Sequence, residues 1–386
     1  MKTMKWKFYS LAFVAGMSIL TACSSDDNND NDGNDGNGNG NEIENGTILK
    51  GTITSDVTLA AGNTYKLSGE YIVEEGATLH IEEGVKIIAV YDDIADYILV
   101  KQGGKINAVG TPDKPIVMTS EKEEPGAWGG IHICGRAHTN AEGGKGSSEI
   151  GGAVYGGNDD ADNSGTLQYI RLEYTGFAFD EEHEANGISF YGVGNGTIVD
   201  HCQAYKGSDD GFEFFGGSVN VSNLVAVSCS DDSFDWTEGW NGKGTNLVAY
   251  QEAESTLGYD CDCLMECDNN GSNNAATPVA HPVLKNLILV GNGGSKQGIR
   301  LRAGTEVEID NAKICGKGQP LTVETALTEN ALKNGTSKLT NITLTSELSS
   351  KEGIYTHADF IAVTSNKVNA NLSYSSFEDT VSYTHL

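Results

Sequence analysis

Carboxylate side chains recur at one position of several short segments in this chain. Each segment reads small residue, hydrophobe, polar residue, hydrophobe, and the polar residue is Glu213, Asp235 or Asp260 in three of them. Two of these segments follow aspartate pairs. Clustered carboxylates can bind calcium (Ca²⁺), which takes six to eight oxygen ligands in flexible geometry. The metal ligands predicted from this pattern are Asp209, Asp210, Glu213, Asp231, Asp232 and Asp235.

The spacing of these segments indicates which elements position the carboxylates. The polar residues recur after 24, 22, 25 and 40 positions, at Ser189, Glu213, Asp235, Asp260 and Arg300. A second column keeps step with them and consists of His201, Asn223, Asn246, Asn286, Asn311 and Asn341. Repeats of this length are typical of solenoids, whose units bury apolar residues only against their neighbours. The sequence therefore predicts an all-β fold, a right-handed single-stranded parallel β-helix, with an amide ladder at an inside bend.

Stacking of the coils determines the expected electrostatics. Equivalent side chains on neighbouring strands lie about 4.8 Å apart. We therefore expect Glu213, Asp235 and Asp260 to form adjacent carboxylates, with Arg300 beside the last of them. At an effective dielectric near 20, each neighbouring pair of charges repels by roughly 3 kcal/mol. A cation, an arginine or retained protons must offset this repulsion. Ca²⁺ is the predicted cofactor, and a solvated acidic face with loose counterions is the alternative.

The same carboxylates would allow two kinds of catalysis. A retaining glycosidase holds two carboxyl groups about 5 Å apart, which stacked residues would provide. A calcium-dependent polysaccharide lyase needs a base, and Arg300 or Arg302 would have to serve although arginine normally stays protonated. The residues that would take part in catalysis are Glu213, Asp235, Asp210, Asp232 and Arg300. The sequence favours binding over catalysis and leaves both open.

Ligand contacts are predicted beside the carboxylates. The flat parallel sheet of a β-helix offers a long groove for a polymer such as a glycan. Trp236 is expected to point into the core because side chains alternate along a strand. The predicted ligand-binding residues are Asp260, Arg300, Arg302, Tyr205, Trp240 and Tyr250.

The N-terminal region has the pattern of a secretory signal. Three lysines precede an apolar run that is too short to span a membrane and ends in Leu20-Thr21-Ala22-Cys23. This ending resembles a bacterial lipobox, which implies cleavage before Cys23 and lipidation of its thiol. An acidic stretch follows, and it resembles the signal that sends Bacteroidetes lipoproteins to the outer face of the outer membrane. We expect a surface-exposed, lipid-anchored protein.

Charge narrows the class of partner. The formal net charge is −29, and removal of residues 1–22 with their three lysines would make it −32. Such a charge argues against nucleic acid or anionic lipid as a partner. Contact with the membrane is therefore expected only through the lipid anchor. The charge suits a protein that binds cations or neutral glycans.

The number and spacing of the cysteines favour thiols packed in the core over a full set of disulfides or a zinc site. Seven of the eight cysteines would remain after lipidation, and an odd number cannot all pair. Cys202 occupies a slot that leucine fills in other coils, so we expect a buried thiol. Cys261, Cys263 and Cys267 could hold zinc, but their spacing matches no common structural site. Packing thiols or one disulfide are favoured there.

The chain divides into four predicted regions: a signal peptide (1–22), an acidic tether (23–45), a β-helix domain (46–381) and an end that is expected to be truncated or artefactual (382–386). Within the β-helix we expect an N-terminal cap over 46–70, protruding loops over 139–165 and 268–282, and a helix over 321–334.

Several motifs resemble a family of β-helical bacterial surface lipoproteins. They lie at residues 110–112, 128–130, 184–187, 191–194, 209–217 and 231–236, within a region of resemblance from about 46 to 310. The family belongs to the pectin-lyase-like shape class, and the resemblance implies architecture and location but no established activity. The leading hypothesis is a surface lipoprotein that binds a glycan or another extracellular ligand with Ca²⁺, beside a nutrient-import complex. The alternatives are a polysaccharide lyase or glycoside hydrolase, and a structural or adhesive surface protein.

Overall fold

The computed structural model describes residues 41–92, 94–179 and 183–373. The predicted signal peptide, Cys23, residues 23–40 of the tether and the final 382–386 segment lie outside the described residues. The described residues form 27 strands, three α-helices and one 3₁₀ turn. Among them, no helix is both long enough and apolar enough to cross a membrane.

The strands follow one another along the chain with short connections. They are β1 (Asn41–Ile43), β2 (Ile48–Ile53), β3 (Val57–Leu59), β4 (Thr64–Val73), β5 (Thr78–Ile81), β6 (Lys86–Ala89), β7 (Tyr97–Val100), β8 (Lys105–Val109), β9 (Ile116–Ser120), β10 (Ile131–Cys134), β11 (Gly146–Ser147), β12 (Val154–Tyr155), β13 (Gly165–Glu173), β14 (Ile188–Tyr191), β15 (Ile198–Tyr205), β16 (Phe212–Phe215), β17 (Asn220–Val227), β18 (Phe234–Thr237), β19 (Lys243–Tyr250), β20 (Met265–Cys267), β21 (Val283–Val290), β22 (Gln297–Leu301), β23 (Glu308–Cys315), β24 (Gln319–Val323), β25 (Lys338–Leu344), β26 (Ser349–Ser350) and β27 (Lys367–Val368). The helices are α1 (Glu254–Leu257), α2 (Ala326–Asn334) and α3 (His357–Ala362), and the 3₁₀ turn is Glu142–Gly144.

The strands stack in three parallel files. The first file contains the short strands β7, β10, β14, β16, β18, β20, β22, β24 and β26, each paired in parallel with the next. The long strands from β13 to β25 carry the other two files. The two halves of β13 pair separately with β8 and β9, so each long strand spans two faces of the coil. The predicted right-handed parallel β-helix is confirmed.

Apolar side chains fill the inside of the coil. The rings of Phe190 and Phe214 stack at 5.0 Å, and Phe214 stacks on Trp240 at 4.2 Å. Trp236 is buried as predicted. Trp240 is also only 1 % exposed, and its indole nitrogen donates to the carbonyl of Val219 at 3.2 Å. The prediction of Trp240 as a ligand contact is therefore wrong, because its ring and its polar atom are both satisfied inside the core.

The asparagine column forms a hydrogen-bonded ladder. Side-chain nitrogens of Asn246, Asn286 and Asn311 donate to the side-chain oxygen of the preceding asparagine at 2.9, 2.9 and 2.8 Å. All of these residues adopt left-handed backbone, with φ from 54° to 62°, a conformation that asparagine tolerates better than most residues. The ladder is predominantly exposed and so lies on the solvent side of the bend, not inside it as predicted. His201 takes the same bend at φ 52° and stacks on Tyr169 at 4.5 Å.

Substitution of one asparagine of the ladder tests how much the ladder contributes to the free energy of unfolding. The Asn246→Ala variant loses hydrogen bonds to two neighbours and places alanine at φ 58°, so we expect a loss of about 2–3 kcal/mol in the free energy of unfolding. Asn246→Gly keeps the favourable backbone and should lose only about 1 kcal/mol. Urea denaturation measures both variants. Equal losses of stability in Asn246→Ala and Asn246→Gly would show that the left-handed backbone conformation does not destabilise the alanine variant.

The glycine-rich insertion does not protrude as predicted. Residues 139–165 fold back over the outer face of the first file, where Ile150 and Tyr155 join an apolar cluster with Tyr191 and Phe215. Tyr155 donates to a carboxylate oxygen of Glu238 at 2.8 Å, which ties the insertion to a later coil. The insertion covers this part of the first file because its own apolar side chains need burial.

The two ends of the coil differ in detail from the predictions. Residues 46–70 do not form a separate cap, because β2 already pairs in parallel with β4 as an early coil. The helix predicted over 321–334 is shorter, since Gln319–Val323 is strand β24 and α2 begins at Ala326. Gly335 ends α2 in the left-handed conformation at φ 85°, as predicted.

Candidate metal centre

The outward positions of the first file bring the predicted carboxylates together. In successive coils this position is occupied by His132, Ser189, Glu213, Asp235, Glu266, Arg300 and Thr322. The predicted adjacency of Glu213 and Asp235 is confirmed. The predicted place of Asp260 is wrong, because Asp235 pairs with Glu266. Asp260 lies in the loop between α1 and β20 and accepts a hydrogen bond from Asn292 at 2.8 Å.

An insertion explains why Glu266 was missed. Residues 251–264 enlarge the connection between β19 and β20, and Gly258-Tyr259-Asp260-Cys261 within it copies the segment pattern by chance. The real segment has Leu264 where other coils have a small residue, so it fails the pattern. Buried Met265 and Cys267 flank Glu266. This alternation of apolar and polar residues is the sequence pattern that could have identified Glu266 as the outward residue of a strand.

Close approach of the coils favours small residues before each short strand. A Cβ on Gly187 would lie 2.4 Å from the carbonyl oxygen of Gly211. A Cβ on Gly211 would lie 2.6 Å from the carbonyl oxygen of Ser233. The aspartate just before Gly211 links two neighbouring coils. An oxygen of Asp210 accepts the main-chain N–H of Asp232 at 2.8 Å, which fixes these two turns relative to each other.

Ten carboxylates and one arginine line a cavity of about 370 Å³ beside the first file. The lining residues are Glu149, Glu184, Asp209, Asp210, Glu213, Asp231, Asp232, Asp235, Asp262, Glu266 and Arg300. All six predicted metal ligands are among them. Glu149 belongs to the folded-back insertion and Glu184 to the connection before β14, and neither shows a periodic signal in the sequence. Sequence reasoning therefore missed both residues.

Two trios of these carboxylates have the spacing of a cation site. Ligand oxygens of Asp210, Glu213 and Asp235 all lie within 4.8 Å of one another. The same limit holds for Asp209, Asp210 and Asp231, so Asp210 belongs to both trios. Because Ca–O distances are about 2.3–2.6 Å, two oxygens on one Ca²⁺ lie at most about 5 Å apart. These partly buried acidic clusters could hold metal ions.

Burial and mutual repulsion make the metal-free cluster electrostatically unfavourable. Burial raises the pKa of Glu213 and of Asp235 well above the usual range, and neighbouring carboxylates raise both further. Burial, reinforced by Asp231 and Glu184, raises the pKa of Asp209 to about 8. Burial also raises the pKa of Glu149 to about 7. Near neutral pH the cluster therefore binds protons unless a cation replaces them.

Two buried polar atoms at the cluster have no hydrogen-bond partner among the described residues. One is Oδ1 of Asp235. The other is Oδ1 of Asn186, a residue that is 1 % exposed. The side-chain nitrogen of Asn186 donates to Glu213 at 2.6 Å, so this amide lies directly against a predicted ligand. Unsatisfied buried oxygens are rare in proteins, because a buried polar atom normally has a hydrogen-bond partner or an ion beside it.

Arginines compensate one end of the file. Arg300 contacts Glu266 at 2.9 Å and Glu324 at 3.3 Å. Arg302 contacts Asp268 at 2.7 Å and also pairs with Glu266. Burial alone lowers the pKa of Arg300, but Glu324 and Glu266 outweigh it and raise the pKa, so the guanidinium stays protonated. Arg300 thus neutralises Glu266, not Asp260 as predicted, and is unsuited to act as a base.

The two tyrosines predicted as ligand contacts belong to a different file. Tyr205 ends β15, and its ring lies 4.6 Å from the guanidinium of Arg171. Tyr250 ends β19 and packs against a small cluster that contains Val290 and Cys315. Neither tyrosine lines the acidic cavity.

The seven cysteines among the described residues are all buried and free of disulfides. Cys202 is buried in the core as predicted. Cys267 also enters the core, whereas Cys263 lies beside Asp262. The three cysteines of the 261–267 segment therefore do not converge on one metal site, and packing is the better interpretation for Cys267.

Comparison with protein-family models agrees with this architecture. No curated protein sequence matches the chain. Among solved structures, the crystal structure of Dettilon tailspike protein (gp208) is similar with 9 % identity and a TM-score of 0.32. The match covers 77 % of this chain and 56 % of the tailspike chain, so this chain spans little more than half of it. A family model described as a pectate-lyase like beta helix domain matches residues 51–384. The chain therefore belongs to the pectate-lyase-like β-helix domain family.

Proposed function

We propose that this protein is a lipid-anchored protein of the outer membrane, exposed at the cell surface, which binds an extracellular glycan through Ca²⁺. The observation that carries the proposal is the pair of carboxylate trios that share Asp210. The carboxylates in these trios repel one another, although only Asp210 is fully buried. Lys296 and Arg300 pair with Asp262 and Glu266, which lie outside the trios. A divalent cation offsets this repulsion directly.

Several properties support Ca²⁺ over other cations. Both trios offer only carboxylate oxygens, which are the ligands of hard cations. Ca²⁺ accepts irregular sets of six to eight oxygens, whereas Mg²⁺ requires a near-ideal octahedron. Each trio supplies three residues, so coordination positions would be left for water or ligand oxygens in the cavity.

A glycan is the ligand class that suits this arrangement. The cavity of about 370 Å³ lies near the lower end of the range for small-molecule sites, enough for a short part of a polymer. Its lining is acidic apart from Arg300, so an anionic or hydroxyl-rich ligand would bind through metal ions. The family description refers to pectate, an acidic polysaccharide whose carboxylates would complete the coordination of such ions.

Catalysis by a glycosidase mechanism is the second candidate. Ligand oxygens of Glu213 and Asp235 lie within 4.8 Å, close to the spacing of a retaining enzyme. A retaining enzyme needs one ionised and one protonated carboxyl, with pKa values that the site pushes apart. Here burial raises both pKa values, so the spacing alone favours catalysis and the electrostatics favour binding.

A polysaccharide array separates these functions. Uronate-rich and neutral polysaccharides are immobilised and probed with the protein in millimolar Ca²⁺ or in chelator. Retention that requires Ca²⁺ and yields no new sugar ends supports the proposal, whereas unsaturated or reducing ends indicate an enzyme. The Glu213→Gln, Asp235→Asn double variant should lose retention, and Asp113→Asn at an exposed turn is the matched control. Retention that is unchanged in chelator would overturn the role of Ca²⁺.

The location has its own test. Cys23→Ala should shift the protein from the membrane fraction to the soluble fraction, because one thiol carries the proposed acyl anchor. Protease added to intact cells should degrade the wild-type protein but spare a periplasmic marker. Protection of the wild-type protein in intact cells would contradict surface exposure.

A further inference from the structure

A thiol lies beside two of the aspartates that line the cavity. Sγ of Cys263 donates to an oxygen of Asp262 at 3.3 Å. The main-chain N–H of Cys263 donates to an oxygen of Asp232 at 2.6 Å. Ligand atoms of these three residues all lie within 4.8 Å of one another. This group is separate from the two carboxylate trios, with which it shares no residue.

Gln251 provides an independent observation at the same place. It is 2 % exposed, and its side-chain nitrogen donates to the carbonyl oxygens of Asp262 and Cys263 at 3.1 and 3.5 Å. Its side-chain oxygen is buried and has no hydrogen-bond partner among the described residues. The carboxamide thus lies against the segment that supplies two of the three ligand atoms, with an acceptor left unsatisfied. The side-chain oxygen of Gln297 lies 3.9 Å from Sγ of Cys263 and is a further oxygen ligand nearby.

We propose that Asp232, Asp262 and Cys263 form a site for a zinc-class divalent cation, distinct from the Ca²⁺ positions. A thiolate is a poor ligand for Ca²⁺ and a good one for Zn²⁺ or Cd²⁺. Zn²⁺ is bound by thiolate and carboxylate ligands in four-coordinate sites, and Gln297 or a water would supply the fourth position.

The charges at this group suit a divalent cation. Binding releases the Cys263 proton to solvent, so that one thiolate and two carboxylates face the ion. Lys296 pairs with the second oxygen of Asp262, which leaves the oxygen nearest Sγ for the metal. Asp232 and Asp262 both line the cavity, so the ion would enter from there although Cys263 itself is buried.

Cadmium titration of the reduced, metal-free protein tests this site. Cd²⁺ bound by a thiolate produces an ultraviolet charge-transfer band, which neither Ca²⁺ nor a carboxylate site produces. We expect one equivalent of Cd²⁺ to develop the band and added Zn²⁺ to remove it. Cys263→Ala should abolish the band, whereas the matched variant Cys202→Ala, which removes a buried thiol from the core, should retain it.

Two further variants keep the test decisive. Asp262→Asn leaves the thiol in place and should weaken Cd²⁺ binding by about tenfold or more, which provides a readout if Cys263→Ala does not fold. The Glu213→Gln, Asp235→Asn double variant should retain the band, so failure of the Ca²⁺ proposal and failure of this one are distinguishable. A missing band in the wild-type protein, or a band that survives in Cys263→Ala, would overturn the inference.

Discussion

Addition of Ca²⁺ to metal-free protein is expected to raise its melting temperature by about 5 °C or more at pH 8, and by much less at pH 5. A ligand at one hundred times its dissociation constant stabilises the folded state by about 2.7 kcal/mol. In large domains each kcal/mol corresponds to roughly 2–4 °C. The carboxylate trios offer two positions for such an ion.

The pH dependence follows from the raised pKa values. The pKa of Asp209 is about 8 in the folded protein and that of Glu149 about 7, both raised mainly by burial. The folded state therefore holds more protons than the unfolded state between about pH 4 and pH 8. The free energy of unfolding of the metal-free protein should fall as pH rises through this window and then level off. Protons compete with Ca²⁺ for these carboxylates much more strongly at pH 5 than at pH 8.

Differential scanning fluorimetry in chelator and in millimolar Ca²⁺ measures this effect. Mg²⁺ serves as the control cation and should give a smaller shift, because its coordination demands stricter geometry. An unchanged melting temperature in Ca²⁺ at both pH values would refute calcium binding. Equal shifts at pH 5 and pH 8 would show that the carboxylates are already ionised at pH 5.

The Glu213→Gln, Asp235→Asn double variant should be more stable than the wild-type protein when both are metal-free at pH 8. At pH 8 the two wild-type carboxyls either stay ionised and repel by roughly 3 kcal/mol at an effective dielectric near 20, or take up protons that the unfolded state does not hold. The amides remove either cost without changing side-chain size. The amide introduced at position 213 would still offer an oxygen to the side-chain nitrogen of Asn186, which donates to Glu213 in the wild-type protein. We expect a gain of about 2–3 kcal/mol in the free energy of unfolding.

The same variant should lose the part of its response to Ca²⁺ that comes from the trio of Asp210, Glu213 and Asp235, because it removes two of the three ligands there. Stability in urea with and without Ca²⁺ measures both effects. Asp113→Asn removes one charge at an exposed turn and should change neither quantity by more than about 0.5 kcal/mol. A double variant that is destabilised without metal and is stabilised by Ca²⁺ as much as the wild-type protein would show that Glu213 and Asp235 do not hold the ion.

Regular coils made part of the site predictable. Where successive coils contain no insertion, the residues at equal positions stack, and so Glu213 and Asp235 were correctly paired. The asparagine ladder was found in the same way, because each amide bonds to the next coil. An interruption of the period made prediction fail at Asp260, since counting along the chain cannot show how a 251–264 insertion folds.

Glu149 and Glu184 illustrate the other limit. Both lie in irregular connections, and only the path of those connections brings them to the cavity. The orientation of Trp240 is a similar case, because a tryptophan beside a strand can turn inward or outward.

The sequence by itself determined the β-helix, the file that carries Glu213 and Asp235, and the acidic character of that file. These features depend on contacts between neighbouring coils, which a repeated period encodes. Only the tertiary structure decided which carboxylates share one cavity, how deeply they are buried and which of them arginine neutralises. The physical reason is that burial and charge pairing depend on distances between segments remote in the chain, and the insertions that set those distances have no period.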